Sequence, residues 1–345
     1  MTSPAAIPPR PCRARARRRG RAAALRLAAT SLVAAVLAGC SLFGGSDAAT
    51  PTTTATSSTT STTQVPIARS EPPVLLDPGE EPRRALRLAY SEGDEARITF
   101  TSDLEITQET EGRTQRIDSP PVAQTLVYVV GPVTDQGADL TIRIEAIAAK
   151  GKGTGLTEEE LAALDDELAP LVGLETTATI SPLGEMEDLS FATPDDLPEP
   201  LADQLDALEA QLPTLGPALP MEEVGVGASW RSTATSSTGG IAAETTSTVT
   251  VTAIADGRLE YRTEIRTTAE PQAVQLDGLA EGTTAQLESS ELSGTSTGVL
   301  GLDRLEVSLR TELGGTQRIA LATGSSTTDL SQAVELAYVA ATEPN

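Results

Sequence analysis

Between about Ala85 and Ala341 apolar side chains recur at every second position, and a chain so patterned must pair strands. In ARITFTSDLEIT, Ala96, Ile98, Phe100, Leu104 and Ile106 alternate with Arg97, Thr99, Thr101, Asp103 and Glu105. The same beat runs through ADLTIRIEA (Leu140, Ile142, Ile144), STVTVTAI (Val249, Val251) and RLEVSLRTEL (Leu305, Val307, Leu309). Successive side chains of a strand point to opposite faces, so this pattern gives antiparallel strands with one buried and one wet face. Asp135-Gln136-Gly137, Asp256-Gly257 and Gly314-Gly315 supply turn chemistry between such runs. The glycines of GTSTGVLGLD (294–303) read as a strand with a bend or a close backbone approach.

Two stretches switch to helical period. TEEELAALDDELAPLV opens with Thr157 and Glu160 in capping-box spacing and carries a stripe of Leu161, Leu164, Leu168 and Leu171. DLPEPLADQLDALEAQL repeats the stripe with Leu201, Leu205, Leu208 and Leu212. The expectation is an α+β domain: a large antiparallel, curved sheet with two amphipathic helices on one face. EGDEARITFTSD (92–103) also echoes VGASWRSTATSS (226–237). Either a duplicated sheet-forming half or a shared Thr-rich composition accounts for the echo.

Upstream of the alternating region the chain changes character. Eight arginines and no acidic residue stand in the first 39 positions, followed by an apolar run from Leu27 to Ala38 and then Gly39 and Cys40. The run is too short to span a bilayer comfortably and reads as an export signal. Leu37-Ala38-Gly39-Cys40 has the form of a bacterial lipobox, with cleavage after Gly39 and lipidation of Cys40. Residues 40–84, rich in Thr, Ser and Pro, then read as a tether that cannot bury enough surface to offset its conformational entropy. The expected organisation is a signal peptide over 1–39, a lipidated tether over 40–84 and a folded domain over 85–341. Two or three acyl chains on Cys40 would hold the protein to the outer face of the cytoplasmic membrane.

Charge and absent residue types narrow the function. The chain has 25 basic and 49 acidic residues; without the eight leader arginines 17 remain against 49, a net charge of −32. Such a polyanion repels nucleic acid and stands off anionic headgroups. There is no histidine, and Cys12 leaves with the leader. Ser-His-Asp and Cys-His catalysis and His-ligated metals are therefore excluded. No calcium loop, phosphate loop or dinucleotide fingerprint is present, so neither metal nor cofactor is expected. The adjacent acids Asp165-Asp166, Asp195-Asp196 and Glu222-Glu223 read as solvated surface, since acid/base work needs carboxylates facing each other across a cleft. Trp230, the single tryptophan, opens a strand in LPMEEVGVGASWRSTA. It marks either the rim of an apolar cavity or plain core packing.

Three segments, LRLAYSEGDEARITFTSDLEIT (86–107), LPMEEVGVGASW (219–230) and GTSTGVLGLDRLEVSLRTEL (294–313), together with the lipobox and tether, give the chain a family likeness. It resembles a family of bacterial lipoproteins of unknown function common in actinobacteria. That resemblance implies an envelope location and transfers no catalytic residue. At the level of fold alone it is also similar to LolA-like and mycobacterial glycolipid-carrier lipoproteins. The leading expectation is a non-enzymatic, membrane-anchored binding module for an apolar or lipid ligand. A structural or protein-interaction lipoprotein with a fully packed core is the alternative, and a carboxylate-only hydrolase the third.

Overall fold

The computed structural model describes residues 69–344 apart from 152–153, 195, 215, 239–240 and 275–281. Cys40, Gly39, the signal and most of the tether lie outside the described residues. Three short strands come first: β1 (Arg69–Ser70), β2 (Val74–Asp77) and β3 (Arg84–Ala85). A first meander follows in β4 (Glu95–Thr110), β5 (Arg113–Asp118), β6 (Val122–Thr134), β7 (Gly137–Ala149), β8 (Glu175–Ile180) and β9 (Met186–Phe191). Helix α1 (Glu158–Leu168) stands between β7 and β8, and α2 (Glu199–Gln211) follows β9. The second meander comprises β10 (Glu223–Val224), β11 (Ser229–Thr238), β12 (Ile241–Ala255), β13 (Arg258–Ala269), β14 (Gln272–Val274), β15 (Thr283–Gly301), β16 (Val307–Thr323) and β17 (Ser326–Thr342).

Fifteen of these strands form one antiparallel sheet, whose main path runs β1-β11-β12-β13-β15-β16-β17-β4-β6-β7-β8-β9. The last strand therefore pairs with the first long one, in a register from Leu330 opposite Thr110 to Thr342 opposite Ile98. Among the described residues the two ends of the path are not paired with each other, so the sheet they form is open. Pairing begins ahead of the expected boundary at residue 85, because β1 and β2 lie along β11 and β3 pairs β10. Residues 69–84, expected to belong to the tether, contribute strands.

The α+β expectation, with helices covering one sheet face, is overturned by this arrangement. The helices have 11 and 13 residues, so at ~1.5 Å per residue each is roughly 16–20 Å long. The strands they would have to cover reach 17 to 19 residues, roughly 55–65 Å at ~3.3 Å each. Each helix packs at one end of the sheet, α1 beside β7 and α2 beside β9. Yet β15, β16 and β17 keep one face buried along nearly their whole length, from Leu287, Ile319 and Leu330 to Leu300, Leu309 and Ala340. The sheet itself must curve over that face to keep it dry. The described residues form an almost entirely β structure with two short helices, one packed on β7 and one on β9.

Gly314-Gly315, expected as a turn, lies inside β16 opposite Ser293 and Leu292, whereas the capping box and the leucine stripes form as read. Thr157 accepts from the backbone N–H of Glu160 at 3.3 Å, and the Glu160 carboxylate accepts from the N–H of Thr157 at 2.8 Å, completing the capping box. Leu164, Leu168 and Leu171 are buried, as are Leu201, Leu205, Leu208 and Leu212. In β15 a Cβ on Gly294 would lie 1.9 Å from the carbonyl oxygen of Glu312, so the close approach read from the glycines is real. The two echoing segments also dock alike. Gly93, at φ +88°, donates to Val130 O while Val130 donates to Asp94 O; Gly227, at φ +81°, donates to Val251 O while Val251 donates to Ala228 O. Each turn thus locks onto the strand that pairs with its own.

The capping box gives a direct test. Thr157→Ala removes an N-cap acceptor and should cost about 1 kcal/mol. Urea denaturation should show a lower midpoint with an unchanged slope.

Candidate functional site: an apolar slot at the seam between the meanders

The slot forms where the two meanders meet. Ile98 of β4, Tyr128 of β6 and Leu140 of β7 line one side, and Leu300 of β15 and Val307 of β16 the other. The segment after α2, through Pro217, supplies a third wall. The slot is partly open, with a volume of about 60 Å³, and among the described residues no charged one lines it. A smaller recess of about 40 Å³ adjoins it, sharing Leu88, Tyr90 and Ile180. For scale, a dry engineered cavity that takes up benzene has roughly 150 Å³.

Two phenols face this lining and differ in one respect. The Tyr90 hydroxyl donates to the carbonyl of Gly301 at 3.4 Å. Tyr128 is only 3% exposed, and its hydroxyl has no hydrogen-bond partner among the described residues. Burial pushes both phenols well above their usual pKa, so both stay neutral. Tyr338, also buried and also without a partner for its hydroxyl, stacks on Phe100 with ring centroids 6.1 Å apart. It lies close enough to Tyr128 to raise that phenol's pKa further.

Trp230 is fully buried, and it does not line the slot. The cavity-rim reading of Trp230 is therefore replaced by core packing, with an indirect role behind one wall. Its indole Nε1–H donates to the carbonyl of Ala218 at 2.9 Å, next to Pro217. Leu219 donates to Leu183 O at 2.8 Å, and the Arg87 guanidinium donates to the carbonyls of Pro220 and Met221. These bonds pin the segment that follows α2. Sequence singled out the tryptophan but not its partner, since a side chain to backbone bond leaves no pattern. Tyr128 was missed because it sits inside the near-continuous apolar run LVYVV (126–130), where no alternation marks it.

The acidic pairs are dispersed. Asp165 accepts from the backbone N–H of Ala149 at 2.8 Å and ties α1 to β7. Glu223 lies in the two-residue strand β10, and Asp195 is outside the described residues. Among the described residues no group of three or more potential ligands could hold a metal ion. The carboxyls of Asp206 and Glu209, one turn apart on α2, are raised by burial. Glu209 accepts from the N–H of Phe191, capping the open edge of β9. Its role is to satisfy a strand edge.

No family model matches the chain, and no curated protein does. Among solved structures, the outer membrane protein OprG from Pseudomonas aeruginosa aligns at 7% identity over 74% of this chain and 99% of that one, with a TM-score of 0.21. The COG4313 outer membrane channel from Pseudomonas putida F1 aligns at 10% identity over 74% and 97%, with a TM-score of 0.13. Superposition this poor carries no inference about fold or function.

Two outcomes test the local reading. Trp230→Phe leaves the Ala218 carbonyl without its donor and should cost roughly 1–3 kcal/mol in chemical denaturation. Glu209 has its folded-state pKa raised by burial, so its ionisation opposes folding at neutral pH, and this cost disappears as acid protonates it. Glu209→Gln, which keeps an acceptor for Phe191, should thus be more stable than the natural protein at pH 7. That advantage should vanish below the ordinary glutamate pKa of roughly 4.3.

Proposed function

We propose that the protein is an envelope lipoprotein, anchored through acylated Cys40, whose β-rich region is a non-enzymatic binding module for an apolar ligand. The observation that carries this reading is the slot at the seam, walled among the described residues by uncharged and largely apolar side chains. A mostly apolar recess is the ordinary form of a small-ligand site. At about 60 Å³ the slot seats the end of a chain or a small apolar group rather than a whole lipid. The net charge of −32 left after removal of the leader supports a domain that stands away from anionic headgroups and samples ligand at a distance from them. The Thr-rich segment from Ala49 toward the first strand supplies the reach.

The second reading, an interaction lipoprotein with a filled core, is favoured by the same volume. Native mass spectrometry of the full chain purified from an actinobacterial envelope separates the two. The expected spectrum shows the polypeptide cut before Cys40, carrying acyl mass, with a stoichiometric apolar compound that organic extraction releases. A clean unliganded mass, persisting after incubation with total envelope lipid, would overturn the binding reading. An uncut chain with free Cys40 would overturn the anchor.

A further inference from the structure

The inner face of the sheet is not equally dry along its length. One row crosses six strands in register, from Ser232 on β11 through Ser247, Ile265, Gly294 and Leu313 to Leu336 on β17. All six residues are partly exposed. Two positions along the strands to one side, the same face is buried at Trp230, Val249 and Tyr338, and to the other side at Leu292 and Val334. A strip of accessible surface therefore crosses the strands, over five strand spacings of ~4.8 Å or roughly 24 Å along the sheet.

The chemistry of the strip changes from end to end. Ser232 and Ser247 stand directly opposite each other, which sets their Cβ atoms roughly 5 Å apart, and neither hydroxyl has a partner among the described residues. At the other end Leu313 and Leu336 face each other across β16 and β17 and pack on Leu104, Leu292 and Val334 while keeping surface of their own. Between them lies Gly294. A Cβ there would strike the backbone of β16 at Glu312, so the two strands approach closely where hydroxyls give way to leucines. Neither this row nor the row on each side of it on the same face holds a charged residue, although the chain has 49 acidic ones. An anion seated here finds no counter-charge and meets the field of a polyanion.

Resting on the reading of the protein as an apolar-ligand module, we infer that this strip is a second seat, apart from the slot, for a neutral single-chain amphiphile. The chain lies over Ile265, Leu313 and Leu336, and the Ser232–Ser247 pair bonds the hydroxyl or ester oxygens of the head. The leucines set the affinity for the chain, since hydrocarbon laid over them removes apolar surface from water. The serines set its direction. The lack of a cation sets the preference for a neutral head over a carboxylate.

Methyl-detected NMR titration of the full chain with 1-decanoylglycerol and with decanoate, each below its micelle-forming concentration, tests this. Methyl signals of Leu313 and Leu336 report the strip, and those of Leu300 and Val307 report the slot. 1-Decanoylglycerol should shift the strip signals saturably, and decanoate should bind there on the order of ten times more weakly. The double variant Ser232→Ala, Ser247→Ala should weaken 1-decanoylglycerol roughly tenfold while the strip signals still respond. Leu313→Asp should abolish binding at the strip. The serines are partly exposed and unpartnered, so the double variant carries the test even where Leu313→Asp fails to fold. Strip signals that stay still with both probes, decanoate bound as tightly as the ester, or an affinity unmoved by the double variant each overturns the inference. Shifts confined to Leu300 and Val307 overturn it and leave the slot as the seat. Shifts confined to the strip uphold it and overturn the slot.

Discussion

The pairing of β17 with β4 is the contact on which the rest of the structure depends. Thirteen residue pairs in unbroken register, from Leu330 and Thr110 to Thr342 and Ile98, join two meanders that would otherwise be separate sheets. The two sheet walls of the slot face each other because of that seam. Ile98 and Tyr128 arrive from the first meander, Leu300 and Val307 from the second. At the end of that seam Thr342 is also tied to its other neighbour, β16, since its hydroxyl accepts from Val307 N–H at 2.8 Å and donates to Val307 O at 3.1 Å.

Farther along the same inner face, a polar row crosses the sheet. Ser290, Gln317, Gln332 and Gln108 stand opposite one another in turn on β15, β16, β17 and β4. Gln332 is fully buried. Apolar groups flank the row on both sides, with Leu104, Ile106, Leu292 and Val334 toward the slot, and Leu287, Ile319 and Leu330 toward the far hairpins. Strands of this length have many near-equivalent registers, since shifting by two residues preserves which face is apolar. A two-residue shift of β17 along β16 would set Gln317 against Leu330 or Val334.

Sequence disclosed what depends on neighbours along the chain. The alternation of Val307 and Leu309 became the start of strand β16, with Leu305 left in the connection ahead of it, and Thr157 with Glu160 became a capping box. The glycines at 93 and 227 open turns that dock identically, which gives the echo between the two segments a structural counterpart. Hidden from sequence was everything that depends on distant partners. The helices carried stripes apt for a sheet face, but stripes do not say how much face there is, and the long strands far exceed them. Alternation likewise says that Val251 points inward without naming what faces it. The slot was illegible for the same reason, being assembled from residues up to about two hundred positions apart. Trp230 was conspicuous by type, but its effect runs through a backbone carbonyl that any residue at 218 would provide.

A sheet sewn together between its earliest long strand and its final one has a consequence in time. A ribosome delivers β4 more than two hundred residues before β17. Until then one side of β4 has only backbone groups awaiting a partner, and so does the outer side of β16. Joining them closes a loop nearly as long as the whole β region, the kind of step that makes folding slow. An edge that waits so long is exposed to every other waiting edge. The wet face beside it carries Arg97, Asp103, Glu105 and Glu109, so a partly delivered chain meets its siblings with charge rather than with a bare apolar ribbon. The C-terminal residues are thus the closing stitch of the molecule.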